Sequence, residues 1–267
     1  MPDNSPISLD RELDALPPVT LDQMKSVKLM NRVDAKFLTD EATLRAVLAD
    51  AAAAGYRVLV TQGQRQSPYD SIYFDTPQLR MFYDHRDKHL VRQKVRTRCY
   101  VRSGQAFLEI KRKNNHGRTS KKRMELPLAD MKDFSANREA CAYLARHSWF
   151  TQADLSPVLE TLFNRITLVN PALTERLTID TRLRFRNFRT CRETSLQDAV
   201  IIELKQDGRA RSTIRSIFLE HRIKPVRISK YCIALTLTDP LSRGGRFKLK
   251  VRTIEKTIGK KIETVCC

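Results

Sequence analysis

The sequence is poor in the features that most readily assign a protein to a class. Aromatic residues make up 7% of its 267 positions, and few interleave with basic ones as a base-stacking surface for nucleic acid requires. The six cysteines (Cys99, Cys141, Cys191, Cys232, Cys266 and Cys267) form no CxxC and no Cys/His ligand spacing. Reduced thiols in a cytoplasmic protein are therefore the expectation. No apolar run approaches the roughly 20 residues that cross a bilayer. The opening Met1-Pro2-Asp3-Asn4-Ser5-Pro6 lacks the apolar core of a signal peptide. Heptads, solenoid periods and long low-complexity tracts are missing as well.

What is present is charge. The chain carries 49 Lys and Arg against 30 Asp and Glu, a formal net charge of +19, beside 41% hydrophobic residues. That is a globular composition with length enough for a core. So large a positive excess predicts a polyanionic partner: nucleic acid, an anionic membrane, or polyphosphate and nucleotides.

The pattern along the chain is α+β. Residues 1–24 read as an extended, Pro-rich segment. Thr39 or Asp40 can cap a helix that ends near Gly55. Strands are expected at 56–60 and 71–75, and a turn or short helix at 77–85. A hairpin follows at 90–102 and 105–113, then a basic strand at 120–128. Helices are expected at 129–148, 158–169, 211–220 and 229–237, and further strands at 175–188, 200–206 and 226–228. The main body is read as 25–240, and 241–267 as a basic tail, weakly structured or separately docked.

Two strands share one grammar: Phe107-Leu108-Glu109-Ile110-Lys111 and Ile201-Ile202-Glu203-Leu204-Lys205. Successive side chains in a strand point to opposite faces, so each Glu shares a face with its Lys and the apolar residues take the other. In the hairpin, Arg92, Lys94, Arg96, Arg98 and Tyr100 likewise fall on one face, against Val91, Val95, Thr97 and Cys99. Like charges about 7 Å apart along a strand repel, and a bound polyanion turns that repulsion into attraction. Arg suits phosphate because its planar fork donates two parallel hydrogen bonds. The next strand adds Lys121, Lys122 and Arg123, and Asp180, Arg182, Arg184 and Arg186 alternate farther on. Glu203, Glu109, Asp34 and Asp180 are candidates either for a hard cation arriving with phosphate or for ion pairs that balance neighbouring Lys and Arg.

Several motifs in order resemble one family, the VTC (vacuolar transporter chaperone) catalytic domain, the polyphosphate polymerase domain of the triphosphate tunnel metalloenzymes. They are Arg32-Val33-Asp34-Ala35-Lys36-Phe37, Ser71-Ile72-Tyr73-Phe74-Asp75-Thr76, Lys94-Val95-Arg96-Thr97-Arg98-Cys99-Tyr100 and Phe107-Leu108-Glu109-Ile110-Lys111-Arg112-Lys113. Phe163-Asn164-Arg165, Ile201-Ile202-Glu203-Leu204-Lys205 and Ser229-Lys230-Tyr231 complete the set. The resemblance implies an antiparallel eight-stranded barrel with a charged lumen and helices packed outside. It implies Lys36, Arg96, Arg98, Lys111, Arg165 and Lys230 as the phosphate ligands that carry catalysis, with Lys121 or Arg123 after the turn, and Glu203 as the ligand of Mn2+ or Mg2+. Arg32, Lys94, Arg184 and Lys205 join the basic set as further phosphate-binding candidates.

The implied activity is transfer of the γ-phosphoryl group of ATP to inorganic polyphosphate, with room for a membrane-protein partner. Alternatives are a tripolyphosphatase or nucleoside triphosphatase of the same fold, or a non-catalytic polyanion binder. Two departures stand out. The alternating triplet Arg32, Asp34, Lys36 has a cation where hydrolytic relatives have a second carboxylate, which favours the polymerase branch. Phe163 stands where the polymerase domain commonly has Tyr.

Overall fold

The computed structural model describes residues 8–25, 32–208 and 211–266. In chain order its elements begin with α1 (Asp10–Asp14), β1 (Pro18–Val19), α2 (Leu21–Lys25), β2 (Arg32–Asp40), α3 (Glu41–Ala53), β3 (Arg57–Leu59), β4 (Ser67–Asp75) and α4 (Arg80–Arg86). The hairpin strands β5 (Arg92–Tyr100) and β6 (Gln105–Lys113) follow, then β7 (Thr119–Leu126), α5 (Arg138–His147), β8 (Ser156–Val169) and β9 (Glu175–Asn187). The chain continues through β10 (Arg192–Leu196), β11 (Ala199–Asp207), α6 (Thr213–Glu220), α7 (Lys230–Thr238), α8 (Lys248–Ile258) and β12 (Thr264–Cys266).

The chain divides into two compact units. The first comprises Met1–Ser67, Arg165–Thr181 and Asp198–Arg227. Here β11 lies antiparallel between β2 and β9, with Glu203 opposite Lys36 on one side and Thr178 on the other. Phe37, Leu177, Ile179, Ile202 and Leu204 leave the opposite face of these strands and pack with Leu44, Val47 and Leu48 of α3 and with Ile214 and Phe218 of α6. Asp40 starts α3 by accepting the Thr43 N–H at 2.8 Å, which satisfies one of the helix's orphan donors.

The second unit comprises Pro68–Asn164, Arg182–Gln197 and Ile228–Cys267. Its strands run in the order β12-β10-β9-β8-β4-β5-β6-β7. The β5–β6 hairpin has the expected bounds to within two residues, and its register sets Lys94 opposite Lys111, Arg96 opposite Glu109 and Arg98 opposite Phe107. The other face supplies Ile72, Phe74, Val95, Leu108 and Ile110, which bury against Met131, Phe134 and Leu144. The sheet therefore turns grease to its helices and charge to the other side, as the alternation requires.

Several expectations are corrected. Residues 158–169 form strand β8, not a helix. Ile166 to Val169 are buried on both faces, and a mostly apolar run carries no clear period that tells a strand from a helix. The 226–228 stretch is no strand: it is tied down by the Val226 N–H donating to the Lys36 carbonyl at 2.7 Å. The 129–148 helix is broken into a short 3-10 turn at Leu128–Met131 and α5. Within 1–24, which was expected to be extended, Asp10–Asp14 is helical and α2 begins at Leu21. The C-terminal stretch is ordered as α8 and β12.

The eight-stranded closure is also not what the pairings show. Among the described residues β6 is the only strand that β7 pairs with, and β11 the only strand that β2 pairs with. In β7, Lys121, Lys122 and Arg123 are exposed in succession, so both faces carry cations, as suits an open edge strand.

Candidate functional site

Tyr69, Ser71 and Tyr73 of β4, Lys94, Arg96 and Arg98 of β5, Phe107, Glu109 and Lys111 of β6, and Lys121 and Arg123 of β7 form successive rows on one sheet face of the second unit. At its centre Arg96 is clamped. Its Nε donates to Glu109 Oε2 at 2.8 Å, a second guanidinium nitrogen lies 2.6 Å from the same oxygen, and a third donates to the Tyr73 hydroxyl at 3.1 Å. Glu109 also pairs with Lys121.

Arg98 is buried and held differently. Its Nε donates to Ser71 Oγ at 3.0 Å, and its guanidinium lies 5.3 Å from the Tyr69 ring and 5.8 Å from the Phe163 ring. The Lys230 ammonium sits 4.6 Å from the Phe163 ring. The Phe163 ring thus has two cations near it. Ser229 caps α7 and accepts from Lys94 Nζ at 2.9 Å. Arg123 stacks on Phe107 at 4.8 Å.

This crowding moves protonation equilibria. Burial pushes the Tyr73 phenol up, but Arg96, Arg98, Lys94 and Lys230 together overcome it and bring it down to about 7. Burial likewise opposes ionisation of Glu109, yet Arg96, Arg98 and Lys121 hold it down at about 2. Lys121 is lowered, chiefly by burial and against the pull of Glu109. At the end of β4, next after Tyr73 in the alternation, Asp75 accepts four hydrogen bonds, from the backbone N–H groups of Thr76, Met81 and Phe82 and from the Tyr231 hydroxyl at 2.6 Å. The Tyr231 ring stacks on Tyr73 at 5.1 Å.

The second unit therefore gathers Lys94, Arg96, Arg98, Lys111, Lys121, Arg123 and Lys230 of the expected set. Arg184 does not join their face. It lines a cavity of about 320 Å³ with Glu160, Leu162, Arg186 and Glu193. Glu160 and Leu162 alternate with Phe163 along β8 and so take the opposite side. The cause lies in β9: Arg182 adopts a left-handed backbone with φ 53°, where the partner of β9 changes from β11 to β10. A bulge there breaks the alternation between Asp180 and Arg184.

In the first unit Asp34, Lys36, Glu203 and Lys205 share the charged face of β2 and β11 by register. Lys205 Nζ lies 3.5 Å from Glu203 Oε1. Arg165 binds Asp180 through both carboxylate oxygens, at 2.6 and 2.8 Å, so Asp180 serves an ion pair in this structure. The Arg32 backbone pairs with Asp207, and its side chain lies outside the described residues. Among the described residues no three His, Cys, Asp or Glu gather as a metal cluster. By register Glu203 and Asp34 are both carboxylates of the charged face of β2 and β11.

The sequence reading missed Tyr73, Ser71, Tyr69 and the Asp75–Tyr231 pair as members of this site. The available signal was alternation in β4, where Tyr69, Ser71 and Tyr73 interleave with Ile72 and Phe74.

One sheet face crowded with guanidinium and ammonium groups and one packed on helices define an α+β protein with a strongly cationic surface. A family model described as the VTC domain matches residues 31–238, and the chain belongs to that family. No curated protein matches it. Among solved structures it is similar to a putative adenylate cyclase from Bacillus halodurans, at 14% identity and TM-score 0.49, over 75% of this chain and 96% of that one. A putative adenylyl cyclase from Hippeastrum, described as having a dominant triphosphatase activity, matches at 11% identity and TM-score 0.48, over 77% and 95%. A third, a putative adenylate cyclase from Vibrio parahaemolyticus, matches at 9% identity and TM-score 0.45, over 76% and 97%. At that level of similarity none of the three bears on function.

Proposed function

We propose that the protein is a metal-dependent polyphosphate polymerase. A terminal phosphate oxygen of the growing chain attacks the γ-phosphorus of ATP, the bond from that phosphorus to the β,γ-bridging oxygen breaks, and ADP leaves with the electron pair. The observation that carries this reading is the clamped row Tyr73–Arg96–Glu109–Lys121 with Arg98, Lys94 and Lys230 around it. Membership of the VTC domain family supports it. Phosphoryl transfer asks a protein mainly for positioning and charge neutralisation, and fixed donors supply both without reorganising as charge moves.

In this reading Lys94, Arg96, Arg98, Lys111, Lys121, Arg123 and Lys230 of the second unit bind phosphate oxygens, and Lys36, Arg165, Lys205 and Arg32 of the first unit are further phosphate-binding candidates. Glu203 would hold Mn2+ or Mg2+, and the ion when bound adds positive charge to the phosphates. Arg32 in the alternating triplet, where hydrolytic relatives have a second carboxylate, favours this reading over a two-metal hydrolase.

Incubation with ATP and Mn2+, followed by resolution of the products, tests the proposal. Chains longer than triphosphate together with ADP are expected, and free phosphate alone would sink it. Glu203→Ala is expected to lower kcat by about a hundredfold or more while sparing tripolyphosphate binding measured by calorimetry.

A further inference from the structure

Helix α8 breaks two electrostatic rules on its exposed side. Its first turn carries Lys248 and Lys250 with no acidic residue and no capping side chain, although a helix N-terminus disfavours cations. Lys248, Arg252 and Lys256 then recur at every fourth position. Like charges thus meet one turn apart, each such pair costing about 0.2–0.5 kcal/mol in an isolated helix. All three are exposed, and among the described residues none has a carboxylate within ion-pair distance. Residues 241–267 hold eight Lys and Arg but only Glu255 and Glu263 as acids. Glu255 is already engaged, by Lys261 at 3.2 Å and the Ile262 N–H at 3.3 Å. Among the described residues, nothing supplies a counter-charge for this stripe.

The geometry points to a second binding site on α8 for inorganic polyphosphate, separate from the basic sheet face. Three cations at intervals of about 6 Å along one line match a flexible polyanion that repeats its charge along its length. A bilayer suits the helix poorly. Its apolar side, Val251, Ile254 and Ile258, is turned inward with Ile254 fully buried, and only Leu249 stands exposed beside the cations, whereas membrane-surface helices present a continuous apolar face. Single-stranded nucleic acid asks for aromatic platforms, and the one aromatic ring here, Phe247, is buried. The site rests on the proposed function only for its choice of ligand.

The test compares the full chain with a Lys248→Gln, Arg252→Gln, Lys256→Gln variant. Gln keeps helix propensity, and removing repulsion should leave Tm unchanged or raised. Affinity for long-chain polyphosphate at low salt is expected to fall about tenfold or more, because three phosphate contacts are lost. Tripolyphosphate binding and ATP turnover should stay at the parent level, and Lys248→Arg, Lys256→Arg should retain long-chain affinity. Unchanged long-chain affinity in the triple variant would overturn the site. So would equal losses for phosphatidylserine vesicles or poly(U) RNA. If long-chain affinity falls but no polymer is ever made, the site stands and the polymerase reading fails.

Discussion

Glu109 is 2% exposed and holds Arg96 and Lys121 on a face otherwise made of cations. Removing one partner of a buried ion pair leaves uncompensated charge, so Glu109→Ala should cost about 3 kcal/mol or more in urea unfolding at neutral pH. Its pH signature follows from a carboxyl that titrates near 2 when folded and near 4.5 when free. Above 4.5 both states are ionised and the stabilisation is complete. As pH falls toward 2 the unfolded chain binds the proton first, and the stabilisation is lost. Urea midpoints should drop through that window in the parent, and Glu109→Gln should remove this group's share of the drop. Tyr73 has the same sign at the alkaline end of the scale. Folded, it ionises near 7 against 10.0 for a free phenol. Between these values the unfolded state carries more protons, and stability from this group rises with pH. An ultraviolet titration should show one tyrosinate forming near pH 7, absent in Tyr73→Phe. Bound tripolyphosphate should raise that midpoint, because it neutralises the cations that depress it.

At the scale of elements, Asp75 joins three pieces of chain. It closes β4, accepts the Met81 and Phe82 N–H groups of α4, and receives the Tyr231 hydroxyl of α7. The residue before α4, Leu79, has a left-handed backbone and offers no side-chain cap, so Asp75 does that work from a distance in sequence. Burial raises its pKa against those hydrogen bonds. Asp75→Ala strands four donors and is expected to destabilise the fold by about 3 kcal/mol or more, with Tyr231 fluorescence changing as its ring loses its anchor. A helix can therefore be capped by a residue no local motif would nominate. Elsewhere local signals sufficed: the Asp40 cap of α3, the β5–β6 hairpin and the helix α7 were all legible, because capping, period-two charge and a Ser N-cap are short-range effects. β8 was not legible, because its 166–169 segment, Ile-Thr-Leu-Val, is mostly apolar and has no clear period to read.

For the whole molecule, a charge of +19 and alternating Lys and Arg sufficed to raise the expectation of a polyanion ligand and to place charge on one sheet face and grease on the other. Both follow from strand geometry and composition, which any window of sequence displays. The roles within that face did not. Glu109 and Glu203 stand in the same five-residue grammar, yet register sets Glu109 between Arg96 and Arg123 and Glu203 between Lys36 and Thr178. Arg184 looked equivalent to Asp180 until a left-handed residue between them reversed the alternation. Sequence alone determined the two-faced sheet and its excess of cations, since these depend on side-chain type and parity. Only the tertiary structure decided which cations are clamped, which aromatic rings they meet and where Asp75 is tied, because pairing register and bulges arise from contacts far apart along the chain.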